Sequence, residues 1–242
     1  MKKQINHLLN KVGLHLKRSL GLNVRFFNIS DLRNKGFVPS SILDVGAAQG
    51  NWTKDCLKVF PEADYLLIEP LKENLASLTA LCNRFSNIQF VSAAAGHISG
   101  YLSMRIQNDL DGSSFHKDAD PRFIGSIRDV AVLKIDDLIK NGRIAVPDLM
   151  KLDVQGFELN VLEGANSALG NTEVVILEIS LYKFLEGAPI FHDVISYMHK
   201  HDYVLYDIMT VMRRPFDNAL AQMDAVFVLE HSRLRQSNRW YA

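Results

Sequence analysis

Residues 42–52, ILDVGAAQGNW, decide the fold class of this chain of 242 residues. An apolar run gives way to glycine and other small residues, and Asn51, a favourable helix N-cap residue, then opens an amphipathic stretch. Small residues let a ligand approach the backbone closely, and Gly46 and Gly50 can adopt turn conformations that other residues avoid. The stretch therefore predicts a buried strand, a nucleotide-binding type of loop and a helix.

The loop differs from the two best-known phosphate-binding glycine loops. It lacks the Gly-Lys-Ser/Thr of a P-loop, and Ala48 stands where the dinucleotide-binding fingerprint has its middle glycine. A tight turn of purely structural meaning remains the alternative.

Beyond residue 40, short β-branched apolar runs alternate with longer amphipathic stretches, which is typical of βαβ units. We expect one α/β domain with a mostly parallel sheet of about seven main strands and helices on both faces. The polar stretch 107–127 is long enough to predict a functional or mobile loop. Two late strands without a helix between them suggest one antiparallel strand at the edge of the sheet. Strands are predicted at 41–47, 63–69, 88–94, 100–106, 129–135, 149–154, 173–179, 203–209 and 225–230, and helices at 51–60, 72–85, 136–140, 158–169 and 190–201.

Composition excludes several classes of protein. The chain is 48% hydrophobic and 22% charged, as in ordinary globular domains, and its longest apolar run, 225–229, is far below the ~20 residues of a membrane span. Cys56 and Cys82 are the only cysteines and predict neither a disulfide framework nor a metal site, so we expect a cytoplasmic protein. Lys plus Arg equals Asp plus Glu at 27 each, so net charge gives no reason to expect nucleic acid as a partner.

Residues 1–37 form a separate unit in this interpretation, followed by a domain at 38–242. Apolar residues at helical spacing predict a basic amphipathic helix that ends near Gly21. Residues 1–25 contain six basic side chains and no acid, which leaves the rest of the chain with a formal charge of −6. We expect this helix to pack on the domain or a second subunit as a homodimer contact, or to lie weakly on a membrane surface.

Three later strand ends carry residues suited to a ligand. Glu69 ends the second strand, 19 residues beyond Gly50, where an acid can accept both hydroxyls of a ribose, and Pro70 stops the strand. Small residues from Ser92 to Gly96 close the third strand, which suits a flat adenine ring lying against the backbone, with simple strand packing as the alternative. Residues 151–158, KLDVQGFE, bring Asp153 to a strand end that points at the same crevice, with a turn or N-cap role as the alternative.

Together these blocks resemble the FkbM family of S-adenosylmethionine-dependent methyltransferases over about residues 38–230. The family is known for O-methylation of hydroxyls on sugars and polyketide-type natural products, in a seven-stranded class I methyltransferase fold. One departure is Gln155, which stands where the family usually has Glu and so removes a negative charge near the site. The blocks that carry the resemblance are 42–46 with Gly50, 69–70, 133–138 (LKIDDL), 151–158, 161–165 (VLEGA) and 222–227 (QMDAVF).

The resemblance implies a role for each matching residue. Glu69 would bind the ribose, and Asp153 would lie beside the reacting methyl group. Ser92 and Ala93 would face the adenine. The methionine part of the donor would be surrounded by Asp44, Gly46 and Gly50, with Ala47 and Pro70 as further cofactor-binding neighbours.

Transfer from an activated methyl group to an alcohol needs alignment of the reactants and removal of one proton. Asp153 and His116 are the candidate general bases, and Glu178, at the end of its strand, is a candidate to hydrogen-bond a sugar hydroxyl. The histidines of the last helix lack an acidic partner pattern, so no metal is expected. Two alternatives remain open: an NAD(P)-dependent reductase, and a donor-binding pseudoenzyme that acts as an interaction partner.

Overall fold

The computed structural model describes residues 26–118 and 125–240, and the predicted helix within residues 1–20 lies outside them. The largest element is a seven-stranded sheet in the order β11-β12-β9-β8-β1-β2-β3. The strands are β1 (Ser41–Val45), β2 (Asp64–Ile68), β3 (Ile88–Val91), β4 (Ala94–Ala95), β5 (Gly100–Ile106), β6 (Lys117–Asp118), β7 (Ser126–Leu133), β8 (Leu149–Leu152), β9 (Val174–Ser180), β10 (Leu185–Glu186), β11 (Tyr203–Arg213) and β12 (Leu220–Leu229). The helices are α1 (Ile29–Asn34), α2 (Asn51–Leu57), α3 (Leu75–Arg84), α4 (Ile135–Lys140), α5 (Glu158–Glu163) and α6 (Phe191–Lys200), with short 3-10 turns at Lys72–Asn74 and Arg233–Arg235.

Apolar side chains cover both faces of this sheet. Alternate residues of β1 divide between two cores, with Leu43 in one and Ile42 in the other, because successive side chains of a strand point to opposite faces. The Leu43 core packs under α4, α5 and α6, whereas the Ile42 core packs under α1, α2 and α3. The predicted α/β class, with a mostly parallel sheet covered by helices, is confirmed.

The antiparallel strand lies elsewhere than expected. β12 runs antiparallel to both β9 and β11, and it lies second in the sheet, while β11 forms the edge. The prediction of an antiparallel edge strand is therefore wrong, because the chain passes β12 back between β9 and β11. Both strands are also longer than their apolar runs indicated.

A second, three-stranded sheet has the order β4-β7-β5 and lies beyond the ends of β2 and β3. The predicted strand at 88–94 is split, because the chain leaves β3 after Val91 and resumes as β4 in this second sheet. Met104 and Val130 form a small core there with Leu71 and Ala94, the residues that follow β2 and β3. This sheet therefore walls the crevice where the main strands end.

Helix α1 belongs to the segment that sequence analysis assigned to the N-terminal unit. Asn28 caps it through a hydrogen bond from the Ser30 N–H, and Leu32 is fully buried. Phe27 and Phe37, on either side, are also buried in the Ile42 core. Residues 26–37 thus pack on the domain. Among the described residues, no helix combines the length and apolar character needed to cross a membrane.

Candidate active site

A cavity of about 400 Å³ lies at the carboxyl ends of β1, β2, β8 and β9. Ligands of open α/β sheets bind at this edge, and this volume is within the usual range for small-molecule sites. The described lining includes four acidic side chains and no basic one. The residues at the cavity are Val45, Gly46, Ala48, Ile68, Glu69, Pro70, Leu71, Asn74, Ala94, Ala95, Met104, Leu110, Asp111, Gly112, Ser113, Phe115, Asp153, Val154, Gln155, Phe157, Glu178, Met212 and Gln222.

The glycine loop after β1 is held by close packing. At Gly46 (φ +77°) a Cβ atom would lie 1.9 Å from the Asp153 carbonyl oxygen, so the chain after β1 touches the chain after β8. At Gly50 (φ +71°) a Cβ would lie 2.9 Å from Leu81. Gly46 lines the cavity, whereas Ala47 and Gly50 do not. The loop thus lies at the cavity through Gly46, while Gly50 lies where α2 packs against α3.

Glu69 ties this loop to the end of β2. Its Oε2 accepts a hydrogen bond from the Ala48 N–H at 2.8 Å, and its Oε1 accepts from the Leu71 N–H at 2.8 Å and the Asn74 side chain at 3.2 Å. Burial raises the pKa of Glu69, and these three hydrogen bonds oppose the shift. A carboxylate offers about four acceptor positions, so Oε2 can still accept from a ligand. Glu69 and Pro70 both border the cavity, as predicted.

The small residues at the cavity are displaced by two positions from those named in the sequence analysis. Ser92 is exposed and Ala93 is buried away from the cavity, whereas Ala94 and Ala95 line it. The difference arises because β3 ends at Val91 and the following residues turn into β4. A flat ring would therefore meet Ala94 and Ala95.

A buried ion pair lies beneath the cavity. Lys151 Nζ lies 2.9 Å from Asp153 Oδ2, and the lysine side chain is only 8% exposed. Burial alone would lower the pKa of Lys151, but the carboxylates of Asp153, Asp44 and Asp224 together raise it above its usual value. Lys151 therefore stays charged and balances part of the negative charge of the site.

Asp44 lies below this pair and outside the cavity lining. It is completely buried, and its Oδ2 accepts a hydrogen bond from Thr53 at 2.5 Å, while Oδ1 has no hydrogen-bond partner. Burial raises the pKa of Asp44, and Lys151 opposes that shift. Asp44 thus places a negative charge near Lys151 and binds α2 through Thr53.

Gln155 links the two acidic groups at the floor of the cavity. Its side-chain nitrogen donates to Glu178 Oε2 at 2.8 Å and to Asp153 Oδ1 at 3.2 Å. Its backbone has a left-handed conformation (φ +51°), and its carbonyl oxygen accepts from the Ser114 hydroxyl at 2.7 Å. The structure thus brings Asp153 and Glu178 together, as the sequence predicted.

His116 lies behind the cavity wall. Its ring nitrogens face the backbone oxygens of Glu186 and Gly156, each at 3.1 Å. The side chain therefore connects the 107–116 segment to the turns after β8 and β10. It is absent from the described lining of the cavity, so this arrangement does not favour it as the base.

No role was predicted for Lys151 or Gln155, although both lie in the block 151–158. Alternation along β8 places Lys151 and Asp153 on the same face, which was the available signal for the ion pair. Nothing in the sequence indicated that the Gln155 side chain would reach β9. Among the described residues, no group of three or more His, Cys, Asp or Glu side chains is arranged to hold a metal ion.

A mostly parallel seven-stranded sheet with a glycine loop, an acid at the second strand end and a cavity over these strand ends is the arrangement expected of a class I methyltransferase domain. The family model described as "Methyltransferase FkbM domain" matches residues 44–205. The chain belongs to the FkbM methyltransferase family. The resemblance noted from the sequence is thereby confirmed.

Comparison with individual proteins gives more distant matches. Hexuronic acid methyltransferase AglP of Haloferax volcanii is 31% identical over 77 residues, which are 29% of this chain and 32% of that protein. The match thus spans about a third of the length of this relative.

Two solved structures show the range of structural matches. A Burkholderia thailandensis 1,6-didemethyltoxoflavin-N1-methyltransferase, with 1,6-didemethyltoxoflavin and S-adenosylhomocysteine bound, has a TM-score of 0.47 at 10% identity, covering 94% of this chain and 90% of that one. Aeropyrum pernix fibrillarin with bound S-adenosyl-L-methionine has a TM-score of 0.44 at 13% identity, covering 81% of this chain and 73% of that one.

S-adenosylmethionine is the cofactor of this methyltransferase, and the residues present fit it. The cavity offers small residues, the Glu69 carboxylate with a free acceptor position, and acidic groups without a basic one in the described lining. That charge suits a cationic donor. When bound, S-adenosylmethionine supplies a methyl group activated by positively charged sulfur.

Proposed function

We propose that the protein transfers the methyl group of S-adenosylmethionine to a hydroxyl group of a sugar, a glycan or a similar natural product. The observation that carries this proposal is the pair of neighbouring carboxyl groups, Asp153 and Glu178, joined by Gln155 at the floor of the cavity. Carboxylates and amides are good hydrogen-bond partners for hydroxyls. The sugar acid in the name of the Haloferax volcanii relative supports testing sugars first.

The charge of the cavity supports a neutral acceptor group. Glu69, Asp111, Asp153 and Glu178 line it, and the described lining has no Lys, Arg or His to pair with an anionic acceptor. A carboxylate placed there would lose its hydration without gaining a cationic partner, which is costly. A hydroxyl carries no such cost, so the proposal is ether formation at a hydroxyl.

For the donor, we propose that Glu69 binds the ribose through Oε2, that the loop at Gly46 and Ala48 contacts the methionine part, and that Ala94 and Ala95 contact the adenine. These groups surround the cavity on the side of β1, β2 and β4. Asp153 and Glu178 lie on the side of β8 and β9, where the acceptor would enter. The two substrates thus meet over the carboxyl ends of the central strands.

Two measurements test the proposal. Calorimetry should detect binding of S-adenosylmethionine and S-adenosylhomocysteine, and the melting temperature should rise with either of them and remain unchanged with NAD. Donor carrying a labelled methyl group should then label one or more members of a panel of sugars, sugar nucleotides and lipid-linked glycans. Binding of NAD alone would favour the reductase alternative, and donor binding without turnover on any acceptor would favour the pseudoenzyme.

A further inference from the structure

We propose that Glu178 is the group that accepts the proton of the acceptor hydroxyl, and that Gln155 positions it for this role. This inference rests on the proposed function and names the base for it. It assigns the proton to a carboxyl that sequence analysis took only as a hydrogen-bond partner of the substrate. Asp153 and His116, the two bases expected from the sequence, then have supporting roles.

The hydrogen bonds of Glu178 leave one of its oxygens available. Oε2 accepts from the Gln155 side chain at 2.8 Å, and no described residue donates to Oε1. The side chain lies in β9 and borders the cavity. A general base must come within hydrogen-bond reach of the proton that it removes, and Glu178 borders the cavity with one oxygen that no described residue occupies.

Both oxygens of Asp153 are already engaged. Oδ2 pairs with Lys151 at 2.9 Å, and Oδ1 accepts from Gln155 at 3.2 Å. To take a proton, Asp153 would have to weaken its ion pair with Lys151, which is almost fully buried and would keep only the more distant carboxylates of Asp44 and Asp224. Each oxygen of Asp153 thus has a partner in the protein, whereas Glu178 has one oxygen without such a partner among the described residues.

The surroundings of Glu178 keep its proton affinity high. Burial, and then the carboxylates of Asp153, Glu158 and Asp224, raise the pKa of Glu178 to about 8, with Lys151 opposing them. Asp224 lies directly opposite Glu178 in the pairing of β12 with β9. A base is most effective when its pKa is close to the working pH, so this carboxyl can both take and release a proton near neutrality.

Gln155 makes this arrangement possible because an amide nitrogen has two N–H bonds. It donates one to Glu178 and one to Asp153, so it bridges two carboxyl groups that would otherwise repel each other. A glutamate at position 155 would replace this bridge by a third acid. The Ser114 hydroxyl on the Gln155 backbone oxygen also fixes the turn.

The proposed step balances as follows. The acceptor oxygen forms a bond to the methyl carbon, the bond between that carbon and sulfur breaks with its electron pair remaining on sulfur, and the hydroxyl proton passes to Glu178 Oε1. The products are a methyl ether and a neutral thioether. Glu178 then releases the proton to solvent and returns to its carboxylate form.

The first experiment needs no acceptor. Infrared difference spectra between pH 5 and pH 9, recorded on the whole chain, follow the band of a protonated carboxylic acid. We expect a band near neutral pH in the parent to which both Glu178 and Glu158 contribute. It should lose the Glu178 contribution in Glu178→Gln and remain unchanged in Glu163→Gln, which changes an exposed glutamate outside the cavity. A band near neutral pH that persists unchanged in Glu178→Gln overturns the proposal. Glu158, whose pKa burial raises to about 7, is distinguished by the same comparison in Glu158→Gln.

The second experiment measures formation of S-adenosylhomocysteine with a pool of hexoses, hexuronic acids and their methyl glycosides, over pH 5.5 to 9. We expect the rate of Glu178→Gln to fall by roughly 10²–10⁴-fold, as for loss of a general base. Its rate should also no longer rise with pH. Asp153→Asn should keep that pH dependence, and Glu178→Asp should restore part of the rate. A flat profile in Asp153→Asn with a normal one in Glu178→Gln overturns the assignment to Glu178.

Donor binding separates this inference from the proposed function. A parent protein that fails to bind S-adenosylmethionine in calorimetry overturns the proposed function. A parent that binds it, but whose carboxyl titration is unaffected by Glu178→Gln, overturns only the role of Glu178. Donor affinity of Glu178→Gln within a few-fold of the parent supports a role toward the acceptor, whereas its loss assigns Glu178 to the cofactor.

Discussion

The Glu69 carboxylate accepts the backbone N–H of Ala48 at 2.8 Å, and this contact joins the end of β2 to the glycine loop after β1. The two residues are 21 positions apart in the chain, on neighbouring parallel strands. Because the other oxygen of Glu69 holds Leu71 and Asn74, one side chain orients three segments at the cavity. The end of β2 and the glycine loop are therefore held together by one side chain at the cavity.

Glu69→Gln should weaken binding of S-adenosylmethionine by about 1–3 kcal/mol. Both oxygens of Glu69 accept backbone N–H groups, from Ala48 and Leu71, and in glutamine one of those oxygens becomes an NH₂ group that cannot accept. Calorimetry measures the change, with Glu62→Gln, an exposed glutamate, as the control. Equal affinities of the two variants would contradict the role of Glu69 in the donor site.

Gly46→Ala should destabilise the fold much more than Gly142→Ala. Both residues have a left-handed backbone, which costs alanine about 1–2 kcal/mol. Only at Gly46 would the new methyl group meet another atom, the Asp153 carbonyl oxygen, and crowding adds about 1–3 kcal/mol or more. The difference between the two variants in urea unfolding measures the crowding at Gly46. Similar midpoints would show that the chain after β1 can move away from the chain after β8.

Lys151→Met should lower the free energy of unfolding by about 3–5 kcal/mol near pH 7, because it leaves buried carboxylates without their cation. Lys58→Met, at an exposed ion pair, should cost less than about 1 kcal/mol.

The loss in Lys151→Met should also depend on pH. Without the lysine the pKa of Asp44, already raised by burial, rises further, so the native state keeps a proton that the unfolded chain has released. Stability therefore falls as pH rises above about 4, and the loss is smallest in acid. Melting curves from pH 4 to pH 8 should show this trend, and a loss independent of pH would mean that Lys151 acts through packing alone.

Deletion of residues 1–20 should leave affinity for S-adenosylmethionine within about twofold, since every residue of the described cavity lies beyond them. We expect the deletion to change the oligomeric state or the binding to anionic vesicles instead, measured by light scattering and by sedimentation with vesicles. Loss of donor binding in a truncated protein that still melts cooperatively would assign this segment to the site.

The fold was predictable where local pattern and tertiary structure agree. The apolar run of β1, the small residues after it and the acid at the end of β2 depend on neighbours in sequence, and the structure places all three as expected. Asp153 and Glu178 were also predictable, because strand ends of a parallel sheet meet at one edge.

Contacts that depend on packing between strands far apart in the chain were harder to predict from the sequence. The turn of the chain at Ser92, which moves the cavity lining to Ala94 and Ala95, depends on pairing of β4 with β7 nearly forty residues later. The reach of Gln155 to Glu178 depends on a left-handed backbone that no periodicity indicates. The place of β12 in the sheet depends on whether β11 or β12 pairs with β9, and the hydrophobic pattern does not distinguish these two arrangements.

The position of β12 has a consequence for how the protein is made. Until Leu229 has left the ribosome, β9 has no neighbour on one side, and its exposed backbone groups are a place where another chain can add. β11 is synthesised earlier but has no place in the sheet until β12 arrives between them. The last two strands are therefore expected to add as a hairpin, and the same event gives β9 its second neighbour and places Asp224 opposite Glu178.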